Sequence, residues 1–140
     1  MKKTFLLFLI FGISQMYSQS VLGKWKTIDD KTNQAKSIVE IYESNGKIYG
    51  KIIEIFNEAR RDNTCTKCEG ADKNKPVLGL VIIKGLSKDG DEYSGGKILD
   101  PESGSHYKCM IKTVGKEKLE VRGYMGISLI GRSQTWIRIK

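Results

Sequence analysis

Past residue 20 the chain reads as short runs of alternating or apolar residues, broken about every ten positions by turn chemistry. Val21–Ile28 is apolar and β-prone, and the polar loop Asp29–Ala35 follows it. Lys36–Glu43 carries Ile38, Val39, Ile41 and Tyr42. Asn45-Gly46 then joins it to Ile48–Phe56, and Asn-Gly between two β-rich runs predicts a two-residue hairpin, because both residues tolerate the positive φ that the turn needs. Val77–Gly85 is the next apolar run, with Ser87–Gly90 as its turn. Tyr93–Leu99 is a strand interrupted by Gly95 and Gly96, which predict a bulge. Asp100–Gly104 is a turn with Pro101 at its favoured second position. In His106–Val114, Tyr107, Cys109, Ile111 and Thr113 share one face. Leu119–Tyr124 and Arg132–Ile139 complete eight strands.

Short connections imply antiparallel neighbours. No ten-residue segment carries a helical apolar stripe. Eight sequential antiparallel strands predict an all-β, up-and-down barrel, since closure removes exposed sheet edges. A two-sheet β-sandwich is the alternative. The chain of 140 residues holds one such domain, spanning 19–140.

The first 18 residues read differently. Lys2 and Lys3 precede the apolar run Thr4–Ser14, and a small, polar stretch follows. This is the layout of a secretory signal peptide, with cleavage expected after Ser18. A membrane anchor is the competing reading, opposed by the polar residues Ser14, Gln15, Ser18, Gln19 and Ser20. The expectation is an exported protein, periplasmic or secreted, not an integral membrane protein, and a monomer.

Export changes how the three cysteines read, because oxidising compartments favour disulfides. Cys65-Thr66-Lys67-Cys68 lies in Asn57–Pro76, a long charged segment without strand periodicity. A disulfide between Cys65 and Cys68, stapling this loop, is the leading expectation. A bridge to Cys109, a zinc site with His106 and Cys109, and thiol-disulfide redox catalysis are the alternatives. His106 and Cys109 have odd spacing on a strand and would face opposite sides, which weakens the zinc reading. Redox use wants a helix N-terminus that this context does not offer. Cys109, beside Tyr107 and Ile111, reads as a buried core thiol.

The net charge of +8 is spread without a basic run longer than two. It indicates a solvated surface, with attraction to anionic envelope surfaces as the functional alternative, and no nucleic-acid partner. One histidine and no argued nucleophile–base pair leave no catalytic residue to name, and no cofactor or metal is expected.

Gly23-Lys24-Trp25 on the first strand, with a basic residue near the chain end, resembles the signature of lipocalin-like barrels. That resemblance implies that Trp25 packs across the barrel base beneath a late arginine, Arg138 or Arg132. An eight-stranded barrel is wide enough for packed side chains or one small ligand. Inward positions are Ile48, Ile52, Leu80, Ile82, Tyr107, Ile111, Leu119 and Val121. Glu40, Tyr42, Arg122, Gln134 and Trp136 are the polar groups near that lining that would orient a ligand. A filled core is the other outcome.

Several motifs together are similar to the bacterial exported family catalogued as domain of unknown function 2147. They are Gly23-Lys24-Trp25, Gly46–Ile52, Cys65-x-x-Cys68, Gly95–Pro101, Tyr107-x-Cys109, Val121–Tyr124 and Gly131–Trp136. The resemblance implies a small exported domain of lipocalin-like (calycin-like) architecture, without an established activity. It points to Tyr107, Arg122, Arg132, Gln134 and Trp136 as a site or a barrel seam. The functional expectation is a non-enzymatic barrel binding a small apolar or lipidic ligand or an envelope component. A redox role for Cys65 and Cys68, and a structural envelope protein without a pocket, are the alternatives.

Overall fold

The computed structural model describes residues 20–127 and 131–140, so the expected export signal at 1–18 lies outside the described residues. Eight strands form a closed antiparallel barrel in chain order. They are β1 (Gly23–Ile28), β2 (Ala35–Ser44), β3 (Lys47–Ile55), β4 (Val81–Asp89), β5 (Glu92–Leu99), β6 (His106–Val114), β7 (Lys118–Tyr124) and β8 (Gly131–Arg138). Trp25 pairs with Arg138 and closes β1 onto β8. The sandwich alternative is thereby set aside.

Local chemistry explains the hairpins. Asn45 and Gly46 take φ of 50° and 76°, and Ser44 pairs with Lys47 across them. Between β5 and β6 the register slips at Tyr93–Gly96, the expected bulge, with Gly95 at φ 82°. The strand expected at Val77–Gly85 is instead Val81–Asp89. Val77–Leu80 forms a turn, in which Leu80 N–H donates to Val77 C=O and Gly79 N–H to Ile52 C=O. Apolar content marked the region, while backbone hydrogen bonding set its ends. The hairpin turn moves accordingly to Gly90 and Asp91, since Asp89 pairs with Glu92.

Because side chains alternate along a strand, Trp25, Val39, Ile41, Ile48, Ile52, Ile111, Leu119 and Val121 are buried inside. A slip of register between Gly50 and Lys51 opposite β4 buries both Ile82 and Ile83. In an up-and-down barrel, alternate connections lie at one end. The β1–β2, β3–β4, β5–β6 and β7–β8 connections form the mouth; the tight turns and the N-terminal segment form the base.

The base is closed around Trp25, whose side chain is fully buried and whose Nε1 donates to Val21 C=O at 2.9 Å. Arg138 covers its ring, with the guanidinium carbon 4.2 Å from the ring centre. Arg138 also donates to the carbonyls of Lys116, Leu22 and Ser20. Gly23 sits at φ +124°, a conformation that favours glycine, and Arg138 Nη1 lies 3.4 Å from where a Cβ would stand. Of the two arginines expected for this position, Arg138 fills it. Arg132 lies near the start of the same strand, at the mouth.

The 57–76 segment is the β3–β4 connection. Two short 3-10 turns, Glu58–Arg60 and Gly70–Asp72, shape it, and a Cys65–Cys68 disulfide staples it. Both sulfurs are buried, and Cys65 Sγ lies 3.6 Å from the Pro101 carbonyl oxygen of the β5–β6 turn. Lys84 on the barrel wall is ion-paired with Asp72. The loop is thus fastened to the outside of the barrel at its mouth end. The 65–68 sulfurs follow a bridged Thr64–Pro76 contact rather than opening a helix. Cys109 is a buried free thiol whose pKa burial pushes up to about 12.

Candidate ligand cavity

The base half of the barrel is filled by Trp25, Val39, Ile41, Leu86, Ile111 and Leu119. The mouth half is not. A cavity of about 560 Å³ opens there, within the range that holds a small ligand. Its apolar walls include Ile52, Ile82, Ile98, Val121 and Trp136. Gly123 also lines it, and its missing side chain leaves the space open on the β7 side.

Polar groups enter at two levels. Inside, Thr27 and Ser37 face one another across β1 and β2 with their hydroxyl oxygens 2.7 Å apart. One hydroxyl hydrogen makes that bond, which leaves the other available to a ligand acceptor. Nearer the mouth, Trp136 Nε1 donates to Gln134 Oε1 at 3.1 Å, and Gln134 Nε2 donates to Asp30 Oδ2 at 3.1 Å. Arg132 Nη2 donates to the same Asp30 oxygen, forming an ion pair. Strand parity produces this row: Arg132, Gln134, Trp136 and Arg138 are every second residue of β8 and share its inner face. The β1–β2 connection hangs Asp30 over the row.

The rim is tied by further bonds. Asp29 caps its own turn by accepting from the Lys31 and Thr32 N–H groups, which lowers its pKa from the ordinary carboxylate value. Lys36 pairs with Glu102 at 2.8 Å, and Arg60 joins the same carboxylate at 3.2 Å. The Lys36 bond chiefly holds the Glu102 pKa down. Asp100 caps the β5–β6 turn by accepting from the Glu102 N–H and the Ser103 hydroxyl.

Four of the six expected ligand residues meet at this cavity: Tyr107, Arg132, Gln134 and Trp136. Two do not, and both are corrected here. Tyr42 stacks on Tyr49 on the outer wall, with ring centres 5.9 Å apart and Lys51 over its ring. Arg122 lies outside and donates to Ser133 at 2.9 Å. The reason is parity: Ile41 and Val121 point inward, so the residues after them point out. Glu40 faces out for the same reason and pairs with Lys51 at 3.8 Å. Thr27, Ser37 and Asp30 escaped the sequence reading. Thr27 and Ser37 carried a usable signal, since each is two positions from a buried residue, Trp25 or Val39. Asp30 carried none, because its partners lie 102 and 104 residues away.

The family model described as "Uncharacterized protein conserved in bacteria (DUF2147)" matches residues 23–138. The chain belongs to this family. The match runs from β1 to the end of β8 and takes in the base closure, the stapled loop and the cavity wall. Among solved structures the family fold finds a similar one in Helicobacter pylori, described as "Protein HP1028 from the human pathogen Helicobacter pylori belongs to the lipocalin family". The TM-score is 0.77 at 22% identity, covering 87% of this chain and 84% of that one. The likeness shows a lipocalin-like barrel. No curated protein matches the sequence.

Proposed function

We propose that this member of the family is an exported binding protein that holds one small apolar or lipidic molecule in the mouth half of its barrel. The observation that carries the reading is the open, largely apolar cavity of about 560 Å³, which ends in hydrogen-bonding groups at its mouth. Apolar walls supply affinity by removing ligand surface from water, and a few fixed polar groups supply orientation. Among the described residues, the lining holds neither histidine nor cysteine, which favours binding over covalent chemistry. The lipocalin-like fold agrees with this reading. Export is supported by the apolar run at 4–14 behind Lys2 and Lys3 and by the disulfide.

Two measurements test it. Nile Red, a neutral apolar dye, is expected to bind saturably at one site per chain. Gly123→Leu is expected to abolish that binding while circular dichroism stays β-like, because Gly123 has ordinary backbone angles and a Cβ there meets Ile98 and Tyr107 only at van der Waals distance. Absence of saturable dye binding overturns the ligand reading. Cell fractionation with mass analysis of the mature N-terminus tests export, and a cytoplasmic, uncleaved chain overturns it.

A further inference from the structure

The identity of the polar groups at the cavity mouth restricts what kind of head a ligand presents there. This protein is basic overall, with a net charge of +8. Its cavity mouth is not. The charged residues of the lining are Asp29, Asp30, Asp100 and Glu102 against Lys31, Lys36 and Arg132. Four carboxylates stand against three cations in the described lining, and Arg60 adds a fourth cation on Glu102, so the mouth carries no basic excess. Moreover, two of the cations are already engaged: Lys36 by Glu102, and Arg132 by Asp30. Gln134 is also fixed. With its oxygen taken by Trp136 and its amide donating to Asp30, it supports the carboxylate that neutralises Arg132.

A carboxylate head arriving at the inner face of β8 finds Arg132 already paired, and Lys31, the third cation of the described lining, stands exposed on the β1–β2 connection rather than on that face. Such a head meets Asp30 beside Arg132. Desolvating an anion without a partner is costly, and a like charge nearby adds to the cost. An ammonium head fares little better, since Asp30 and Glu102 are already ion-paired and Asp29 and Asp100 already accept hydrogen bonds from their own turns. A hydroxyl head suffers neither penalty. It can donate to the open lone pairs of Asp30 and accept from Arg132, whose guanidinium carries more N–H groups than one partner uses. Deeper in, the Thr27–Ser37 pair offers one further hydroxyl hydrogen.

Resting on the binding function proposed above, we propose that the site selects an uncharged, hydroxyl-bearing amphiphile, and that Asp30 is the residue that excludes fatty-acid-like anions by holding Arg132 neutralised. Asp30 acts as a specificity determinant at the mouth rather than as an anchor for the apolar body.

The test is competition for bound Nile Red at neutral pH by three twelve-carbon probes that differ only in their heads: 1-dodecanol, dodecanoate and dodecylamine. Dodecanol is expected to displace the dye at a concentration about tenfold lower than either charged probe. Asp30→Asn, which keeps the shape and frees the Arg132 charge, is expected to shift the preference about tenfold toward dodecanoate relative to dodecanol. Dodecanoate or dodecylamine binding as tightly as dodecanol to the wild type overturns the proposal, as does an Asp30→Asn variant whose preference is unchanged. If all three probes fail to displace a dye that does bind, the amphiphile inference falls and the cavity reading stands. If the dye itself does not bind, the failure belongs to the cavity reading.

Discussion

The Arg138 guanidinium carbon sits 4.2 Å above the centre of the buried Trp25 ring, joining the last strand to the first at the barrel base. The arrangement combines a cation over an aromatic face with donation to three backbone carbonyls, two in the N-terminal segment and one in the β6–β7 turn. Arg138→Ala is expected to cost about 2–3 kcal/mol in urea unfolding. Arg138→Lys is expected to recover less than half of that, since a single ammonium cannot reproduce the planar fork. Full recovery by lysine would show that charge alone closes the base.

Gly104 is where the stapled loop and the β5–β6 turn meet. It holds φ +75°, and a Cβ there would overlap the Lys67 carbonyl oxygen. Gly104→Ala is therefore expected to destabilise by about 2 kcal/mol or more and to expose the 57–76 segment to protease before the barrel unfolds. Proteolysis mapped by mass spectrometry checks this. Uniform resistance would mean that the loop is held by its other ties alone.

The cysteines separate by chemistry. Burial pushes the Cys109 thiol up to about 12, so almost no thiolate forms near neutrality. The native, non-reduced protein is expected to show no thiol reactive to iodoacetamide. Denaturation without reductant should reveal one thiol, and denaturation with reductant three. Labelling of Cys65 or Cys68 in the native, non-reduced protein would contradict their disulfide.

Acid stability has a definite sign. The hydrogen bond from Lys84 lowers the Asp72 pKa from 3.8, and that from Lys36 lowers the Glu102 pKa from 4.5. Folded values below unfolded ones contribute stability at higher pH, and that contribution disappears as pH falls through the folded values. The melting temperature is expected to drop as pH falls below these ordinary carboxylate values. Lys84→Met should lower it at pH 7 and converge on the wild type in acid, where Asp72 is protonated in both. A pH-independent difference would assign the Lys84 effect to packing.

Lys97 on β5 stands directly opposite Lys84 on β4 and Lys108 on β6. Like charges directly across a sheet oppose one another, and Asp72 is paired with Lys84. Lys97→Glu is expected to stabilise by about 0.5 kcal/mol, with the gain shrinking in high salt. A loss of stability would mean that this row of lysines is not under electrostatic strain.

Much of the architecture was legible along the chain because each strand carries its own evidence. Asn45-Gly46 names its turn, the Gly95-Gly96 pair marks its bulge, and the 65–68 cysteines explain a segment that has no strand period. The limits of β4 were not legible, because the apolar residues from Val77 onward serve equally well in a turn and in a strand. The cavity was legible in part. Gln134 and Trp136 lie on the inner face of β8, whereas Tyr42 and Arg122, chosen for their chemistry, follow inward-pointing neighbours and so must face outward.

Alternation and turn residues by themselves determined that this chain makes eight strands with antiparallel neighbours, since each of these signals acts between residues close in sequence; closure over a tryptophan was implied only by the likeness of Gly23-Lys24-Trp25 to lipocalin-like barrels. Only the tertiary structure decided that the mouth half of the barrel is open and that Asp30 neutralises Arg132 there. Both depend on how side chains from strands at opposite ends of the chain share one interior: volume left unfilled and charges brought together across more than a hundred residues have no local trace.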